Sequence, residues 1–358
     1  MSQKYLTVVV PVYNMEKLLT RCLDSLLILN NEELFKKLEV IVVNDGSKDK
    51  SLYIAKEYEL KYPEVYKVID KPNGNYGSCI NVGIKNATGK YFRILDADDF
   101  FKSAALVNIL KNIDKFLVCP DLLITNYQED YSIGYSRCVE NVDYEYNRIY
   151  PFAEVDFRDQ SNGVLAVMHR MTYSLDVIRN SRLLHLEGIS YTDSEYCFYP
   201  LISVQSVMFL DECLYCYQIG REGQTVSEVS YQKNIHQLYL IIDRMLNSFQ
   251  EESKSMICYQ NQLVVLKLCL YIYYRTILTT KFDHKEDIYS LDSRIKRFDG
   301  VLYEDLAQFK KLHYIPFVKW WRKGVSTNCT LFRGFYKCLG FVVRWGKILF
   351  FKLSLVGR

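Results

Sequence analysis

Apolar runs alternate with segments of helical periodicity through the first third of the chain. Five apolar runs predict strands of a buried sheet, and they are YLTVVVPVY (5–13), LEVIVVND (38–45), VYKVID (65–70), KYFRILD (90–96) and DLLITNYQED (121–130). Helices are predicted between them, at 15–29, after a Ser47 cap, at 78–87 and at 103–113. This alternation predicts an α/β fold, with a mostly parallel sheet flanked by helices.

The hydrophobic pattern changes twice further along the chain. Residues 131–160 are polar and rich in tyrosine, and after about residue 230 every apolar pattern has helical spacing. The length of 358 residues favours two domains. We therefore predict an α/β domain at 1–229 and a helical region at 230–358.

Polar motifs follow the predicted strands. They are PVYN (11–14), NDGS (44–47), KPNGNYGS (71–78) and DADD (96–99). Ligands of parallel sheets bind beyond the carboxyl ends of the strands. Four motifs at one sheet edge therefore predict a binding site there.

The DADD motif places three carboxylates in four positions, Asp96, Asp98 and Asp99. Two unit charges 4 Å apart repel by about 4 kcal/mol at an effective dielectric of 20. A divalent cation removes this repulsion, and Mg²⁺ or Mn²⁺ prefers oxygen ligands shared with substrate phosphates. A solvated turn or a helix cap is the alternative interpretation.

Cysteine and charge set further bounds. The 11 cysteines are scattered, and the first residues lack the pattern of a signal peptide, so reduced thiols in a cytoplasmic protein are expected. Cys213 and Cys216 form a lone CxxC, for which we favour buried small residues over a metal or redox role. Residues 307–358 contain 11 basic and no acidic residues, whereas the rest carries a net charge of −8.

Taken in order, these motifs resemble the family-2 inverting glycosyltransferases with the GT-A fold, over roughly residues 5–228. The resemblance rests on VVVPVYN, VIVVNDGSKD, NGNYGSCINVGIKNATGKYFRILDADD and SYTDSEYCFYP. It is closest to bacterial enzymes that build capsule or other surface polysaccharides. It implies a nucleotide-sugar donor, most plausibly a UDP-sugar, and a glycan or lipid-linked acceptor.

The resemblance also implies roles on the donor side. A nucleotide pocket is implied for Pro11, Tyr13, Asn14, Gly74, Tyr76, Gly77 and Ser78. Asp45 would accept a hydrogen bond from the base, and an Asx turn is its alternative role. Asn81 would bind nearby. Asp98 would ligate Mn²⁺ or Mg²⁺ with help from Asp96, which would also contact the ribose.

Three further positions remain open on the donor side. Asp99 would hold the sugar or a metal-bound water. Arg93 would approach the phosphates or pair with the neighbouring carboxylates. In YQIGREGQTVS, Arg221, Gln224, Thr225 and Ser227 would close over the diphosphate, and Gly220 and Gly223 would make the segment mobile.

The second half must supply the general base. By resemblance this is Asp193, with Glu195 as its rival, because Thr192 stands where the family usually has glutamate. A helix cap is the alternative role for Asp193. His169 is placed where acceptor contacts are plausible, although a structural role is commoner for one histidine.

The C-terminal segment mixes tryptophan and phenylalanine with basic residues and has no apolar run of about 20 residues. It predicts an in-plane helix that holds the protein on the inner face of a bacterial membrane. Packing on the protein or in a homodimer is the alternative, and no nucleic acid is expected as partner. The competing functions are a non-catalytic surface assembly protein and a sugar nucleotidyltransferase. A nucleotidyltransferase usually has a glycine-rich loop with lysine or arginine after its first strand, and PVYNMEK is not such a loop.

Overall fold

The computed structural model describes residues 3–132, 134–141, 143–158, 165–181, 183–220, 224, 228–249, 256–279, 285–308 and 316–325. These residues form two compact units. One comprises Met1–Thr225 with Asp243–Val265, and the other Val226–Ile242 with Leu266–Arg358. The sequence predicted a domain boundary between residues 229 and 230. In the structure, residues 243–265 belong to the first unit.

Ten strands form the sheet of the first unit. They are β1 (Leu6–Val12), β2 (Leu38–Asn44), β3 (Tyr66–Asp70), β4 (Tyr91–Ile94), β5 (Phe100–Phe101), β6 (Leu122–Tyr131), β7 (Tyr135–Val139), β8 (Ile149–Pro151), β9 (Met171–Ser174) and β10 (Ser206–Ile219). Their order is β3-β2-β1-β4-β9-β6-β10-β5, with β7 beside β6 and β8 beside β10. The β3-β2-β1-β4 half is parallel, and β9 runs antiparallel to both β4 and β6.

Twelve α-helices occur among the described residues. They are α1 (Leu19–Asp24), α2 (Glu32–Lys37), α3 (Ser51–Lys61), α4 (Asn75–Asn86), α5 (Ser103–Lys115), α6 (Leu175–Asn180), α7 (Asp193–Phe198), α8 (Glu228–Ser248), α9 (Ile257–Thr279), α10 (Lys285–Phe298), α11 (Gly300–Gln308) and α12 (Phe317–Arg322). The mostly parallel sheet flanked by helices confirms the predicted fold class.

Burial explains why the first strands read as continuous apolar runs. Val8, Val9 and Val10 of β1 are all fully buried, although neighbouring side chains point to opposite faces. A fully buried side chain of this kind contributes about 1.5–3 kcal/mol. Helices therefore cover both faces of this strand, as a parallel sheet requires.

Two local predictions were wrong. Residues 15–29 form only the short helix α1, and α2 follows separately. Ser47 does not cap α3, which begins at Ser51 after the N-cap Lys50. The Ser47 hydroxyl instead accepts a hydrogen bond from the backbone N–H of Asn14, at 3.0 Å.

The second unit contains the described part of the basic aromatic segment. Phe317 and Val318 of α12 are buried, and Arg322 pairs with Asp292 of α10 at 2.6 Å. Trp321 packs against Tyr289 with ring centroids 5.0 Å apart. Residues 316–325 therefore pack within this unit, and residues 326–358 lie outside the described residues. Among the described helices, none combines the length and apolar character needed to cross a bilayer.

Candidate active site

The loops after β1 and β2 are tied together by Asn14. Its backbone is left-handed, with φ of 54°, a conformation that asparagine tolerates better than most residues. Its side-chain oxygen accepts from the N–H of Lys48 at 2.8 Å. Tyr13 beside it is 47% exposed, and Pro11 is half-buried at the end of β1. The first motif thus presents an accessible aromatic ring at the predicted sheet edge.

Asp45 follows β2 and is almost completely buried. The ammonium of Lys71 and the N–H of Gly74, at 2.9 Å, both donate to one carboxylate oxygen. The Asn73 amide donates to the other oxygen at 3.0 Å. The Cys79 thiol is a further hydrogen-bond partner of this carboxylate, so most of its roughly four acceptor positions are used within the fold.

The start of α4 is held close to the segment before α7. A Cβ on Gly77 would lie 2.1 Å from the carbonyl oxygen of Leu186, so this position requires glycine. The Gly74 carbonyl accepts from the N–H of Gly188 at 2.7 Å, and the Ser78 hydroxyl donates to the Asn75 carbonyl. The motif KPNGNYGS therefore has a structural function here, in addition to its predicted ligand contacts.

Asn81 lies on α4 and faces the same segment. Its amide donates to the His185 carbonyl at 3.0 Å and to Glu187 at 2.9 Å, and its oxygen accepts from the His185 N–H. These three hydrogen bonds give Asn81 a bracing function. Its predicted ligand contact remains a prediction.

Asp96, Asp98 and Asp99 come together after β4. Each offers a carboxylate oxygen, and the three oxygens lie within 4.8 Å of one another. Asp99 is buried, whereas Asp96 and Asp98 are half-buried. The Arg21 guanidinium donates to the backbone carbonyl of Asp98 at 2.8 Å, which fixes the turn.

Tyrosine hydroxyls orient two of these carboxylates. Tyr76 donates to Asp96 at 2.7 Å, and Tyr215 donates to Asp99 at 2.7 Å. The backbone N–H of Gln218 completes the support of Asp99 at 2.8 Å. Such hydrogen bonds from outside the ligand set are typical of carboxylates that bind metal.

The electrostatics of the cluster favour a cation. Burial and then the charge of Asp98 raise the pKa of Asp96 to about 7, with a smaller contribution from Asp193. The same two causes raise the pKa of Asp99 well above its usual range. Oxygen ligands that repel one another without a counter-ion fit Mg²⁺ or Mn²⁺. The residues present therefore fit the predicted metal.

Arg93 does not pair with the neighbouring carboxylates, and its approach to the phosphates stays a prediction. It is fully buried on β4, and its guanidinium donates to Thr172 at 2.6 Å, to Thr125 at 3.2 Å and to the His169 carbonyl. Among the described residues, no carboxylate forms an ion pair with it. Burial lowers the pKa of Arg93 to about 10. Its contacts are those of a residue that supports the sheet behind the cluster.

His169 lies within a group of aromatic rings. It stacks on Tyr217 with centroids 4.3 Å apart and on Tyr127 at 5.4 Å, while Tyr215 approaches edge-on at 4.7 Å. Burial, and then the charge of Arg93, lower the pKa of His169 to about 3. His169 is therefore neutral at physiological pH, and its predicted contact with the acceptor remains a prediction.

Asp193 and Glu195 differ in access. Asp193 begins α7 and is exposed, yet the surrounding wall of protein displaces water and raises the pKa of its carboxyl. Glu195 is fully buried, and its oxygens accept from the Arg244 guanidinium and from the Leu186 N–H at 2.9 Å. Only Asp193 of these two presents an accessible carboxylate to a substrate.

Thr192, the residue before Asp193, is held in place by a buried histidine. Nδ1 of the buried His185 donates to the carbonyl of Thr192 at 3.0 Å and lies 3.6 Å from Glu195. Thr192, which replaces the expected glutamate, is itself fully buried. His185 and Glu195 thus set the start of α7.

Gln224 belongs to the same network as Asp99. Its oxygen accepts from the Gly220 N–H at 2.9 Å, and its amide donates to the carbonyl of Gln218. Gln218 in turn supports Asp99. The neighbouring residues Arg221, Gly223, Thr225 and Ser227 lie outside the described residues.

Sequence reasoning missed several residues of the site. Lys71 was part of the KPNGNYGS motif, four residues before the observed start of α4, and its charge could have been matched to Asp45. Tyr215 lies inside the CxxC segment, which was interpreted only through its two cysteines. His185 and Arg244 carried no local signal, because 49 residues separate Arg244 from its partner Glu195.

Comparison with known proteins gives a family match. Residues 7–179 match the family described as Glycosyl transferase family 2. Over these residues the chain is similar to family-2 glycosyltransferases. In fold, the chain is similar to the crystal structure of S. aureus TarS 1-349 in complex with UDP-GlcNAc, with a TM-score of 0.57 at 20% identity, over 96% of this chain and 92% of that one.

Two curated relatives are similar in sequence. An uncharacterised glycosyltransferase of Mycoplasma genitalium is 31% identical over 60% of this chain and 61% of its own length. The minor teichoic acid biosynthesis protein GgaB of Bacillus subtilis is 39% identical over 30% of this chain and 12% of its own length. The chain thus covers less than two thirds of the length of these relatives. The resemblance found in the motifs and the GT-A fold are confirmed.

Proposed function

We propose that this protein is an inverting glycosyltransferase that moves a sugar from a nucleotide-sugar, with a UDP-sugar as the favoured donor, to a glycan or lipid-linked acceptor. The reaction would need a divalent cation and would use Asp193 as general base. A neighbour bound to UDP-GlcNAc supports the donor class. A relative named for teichoic acid synthesis supports a function in surface polysaccharide synthesis.

One observation carries the proposal. The charge of Asp193 contributes to the raised pKa of Asp96, so the exposed carboxylate is within electrostatic reach of the aspartate cluster. Inverting transfer requires a base on one side of the anomeric carbon and a held diphosphate on the other. This arrangement provides a group for each of these two functions.

The residues would divide the work as follows. Asp45 would accept a hydrogen bond from the nucleobase in addition to those that hold it in the fold. Asp96 and Asp98 would hold Mg²⁺ or Mn²⁺, which when bound stabilises charge on the leaving diphosphate. Asp193 would take the proton of the acceptor hydroxyl as that oxygen attacks, and a raised pKa makes its carboxylate a stronger proton acceptor.

The test is nucleotide release from a panel of UDP-, GDP- and dTDP-sugars, with and without Mn²⁺. Asp98→Asn should abolish the metal-dependent part, and an unchanged rate would refute the metal assignment. The exposed Asp176→Asn on α6 is the matched control, because it removes a carboxylate outside the cluster. A non-catalytic protein would release no nucleotide with any donor.

We also propose that the protein works as a peripheral protein on the inner face of the membrane. The basic residues of 307–358 support this, since each one near an anionic surface contributes about 1 kcal/mol. Flotation with anionic liposomes should require residues 326–358. Equal flotation without them would refute the proposal, and size-exclusion chromatography of the same samples would test the predicted homodimer.

A further inference from the structure

Two cysteines far apart in sequence meet on one side of the sheet. Cys138 lies on β7 and Cys213 on β10, and their sulfur atoms are 3.2 Å apart. Cys138 is exposed and Cys213 is half-buried. The partner of Cys213 is therefore not Cys216, its neighbour in the CxxC, which is buried on the same strand.

A lysine side chain lies next to one of the two sulfur atoms. The Lys102 ammonium is 3.4 Å from Cys213 Sγ. The hydrogen bond from Cys138, and then the charge of Lys102, lower the pKa of the Cys213 thiol, while the same hydrogen bond raises the pKa of Cys138. A thiolate beside a lysine, with a second thiol in contact, is the arrangement of a reactive cysteine and its resolving partner.

The geometry points to a redox-active thiol pair at Cys138 and Cys213, which we propose closes to a disulfide with small-molecule disulfides of the glutathione type. Bond formation needs the sulfurs to approach from 3.2 Å to about 2.05 Å. In the described sheet, β6 lies between β7 and β10, and β7 pairs with β6 alone, so closing the bond requires a movement of this edge strand toward β10.

The reaction proceeds in two exchanges. The Cys213 thiolate attacks one sulfur of the oxidant, which forms a mixed disulfide and releases one small thiolate. Cys138 then loses its proton to solvent and attacks Cys213 Sγ, and the second small thiolate leaves. The two protein thiols lose two electrons, and the oxidant gains them as two thiols.

The decisive experiment treats the full chain with oxidised glutathione at pH 7 under native conditions, alkylates the free thiols and identifies bridged peptides by mass spectrometry. We expect a Cys138–Cys213 bridge that dithiothreitol reverses. The exposed Cys119, which lies outside the pair, should carry glutathione without bridging. A bridge to another cysteine, or no bridge, would overturn the proposal.

Three variants assign the roles. Cys138→Ser should trap glutathione on Cys213, whereas Cys216→Ser should leave the bridge intact. Lys102→Met should slow the first exchange about 5-fold, because a lower thiolate fraction is partly offset by a more nucleophilic thiolate. If Cys138 and Cys213 react no faster than Cys119 in the unmodified chain, the pair is not activated and the inference fails.

Discussion

The proposed donor side and the proposed acceptor side of the site are built differently. On the donor side, Asp45 and the aspartates of 96–99 come from short motifs at the ends of β2 and β4, the two strands that flank β1. On the acceptor side, His185, Glu195 and Arg244 hold the start of the helix that carries Asp193. Short motifs would therefore supply the donor contacts, whereas long-range contacts would position the base.

The largest effect should come from Asp193→Asn. Loss of the general base should reduce transfer by about 10²–10⁴-fold, while thermal stabilisation by UDP and Mn²⁺ is retained. The folded chain should be no less stable, because the raised pKa shows that the ionised carboxylate is disfavoured there. Transfer rates and melting temperatures measure both effects, with Asp176→Asn as control. Unchanged transfer would remove Asp193 from the mechanism.

Its neighbour should behave in the opposite way. Glu195→Gln leaves the Arg244 guanidinium without its counter-charge, at a cost of about 2 kcal/mol, below the 3–5 for a fully buried pair because Arg244 is 33% exposed. Chemical denaturation measures this loss. Restoring neutrality with Arg244→Met in the double variant should recover part of it. A variant as stable as the parent would contradict the bracing function of Glu195.

A tyrosine from the second half should affect the donor side. Tyr215→Phe removes the hydroxyl that orients Asp99, and metal affinity should fall about tenfold. Calorimetric titration with Mn²⁺ measures the change, and Tyr53→Phe, at an exposed position on α3, is the control. An unchanged affinity would place Asp99 outside the metal site.

Metal binding should also depend on pH. A proton must leave Asp96, whose pKa is about 7, before the cation binds, so affinity should fall about tenfold between pH 8 and pH 6. The metal-free chain should show the reverse trend: because the folded pKa is raised, the contribution of Asp96 to stability decreases as pH rises toward 7. Titrations and melting curves at both pH values test this pair of trends. Affinity independent of pH would exclude Asp96 as a ligand.

Prediction from sequence succeeded where the signal is local. The strands β1 and β2 are nearly continuous apolar runs, since both faces of a parallel sheet are buried, and the ends of β1 to β4 place the motifs at one edge. It failed at Ser47 and Arg93. A serine before a helix and an arginine near aspartates fit several local structures, and only contacts with distant residues choose among them.

The sequence by itself determined the α/β fold, the family resemblance and the three-aspartate cluster, because strand periodicity and adjacent carboxylates are properties of short segments. Only the tertiary structure decided that Asp193 is accessible while Glu195 is bound, and that Cys213 meets Cys138 rather than Cys216. Burial and pairing of a side chain depend on residues brought together by the fold. Residues that are far apart in the chain produce no local sequence pattern that would reveal their contact.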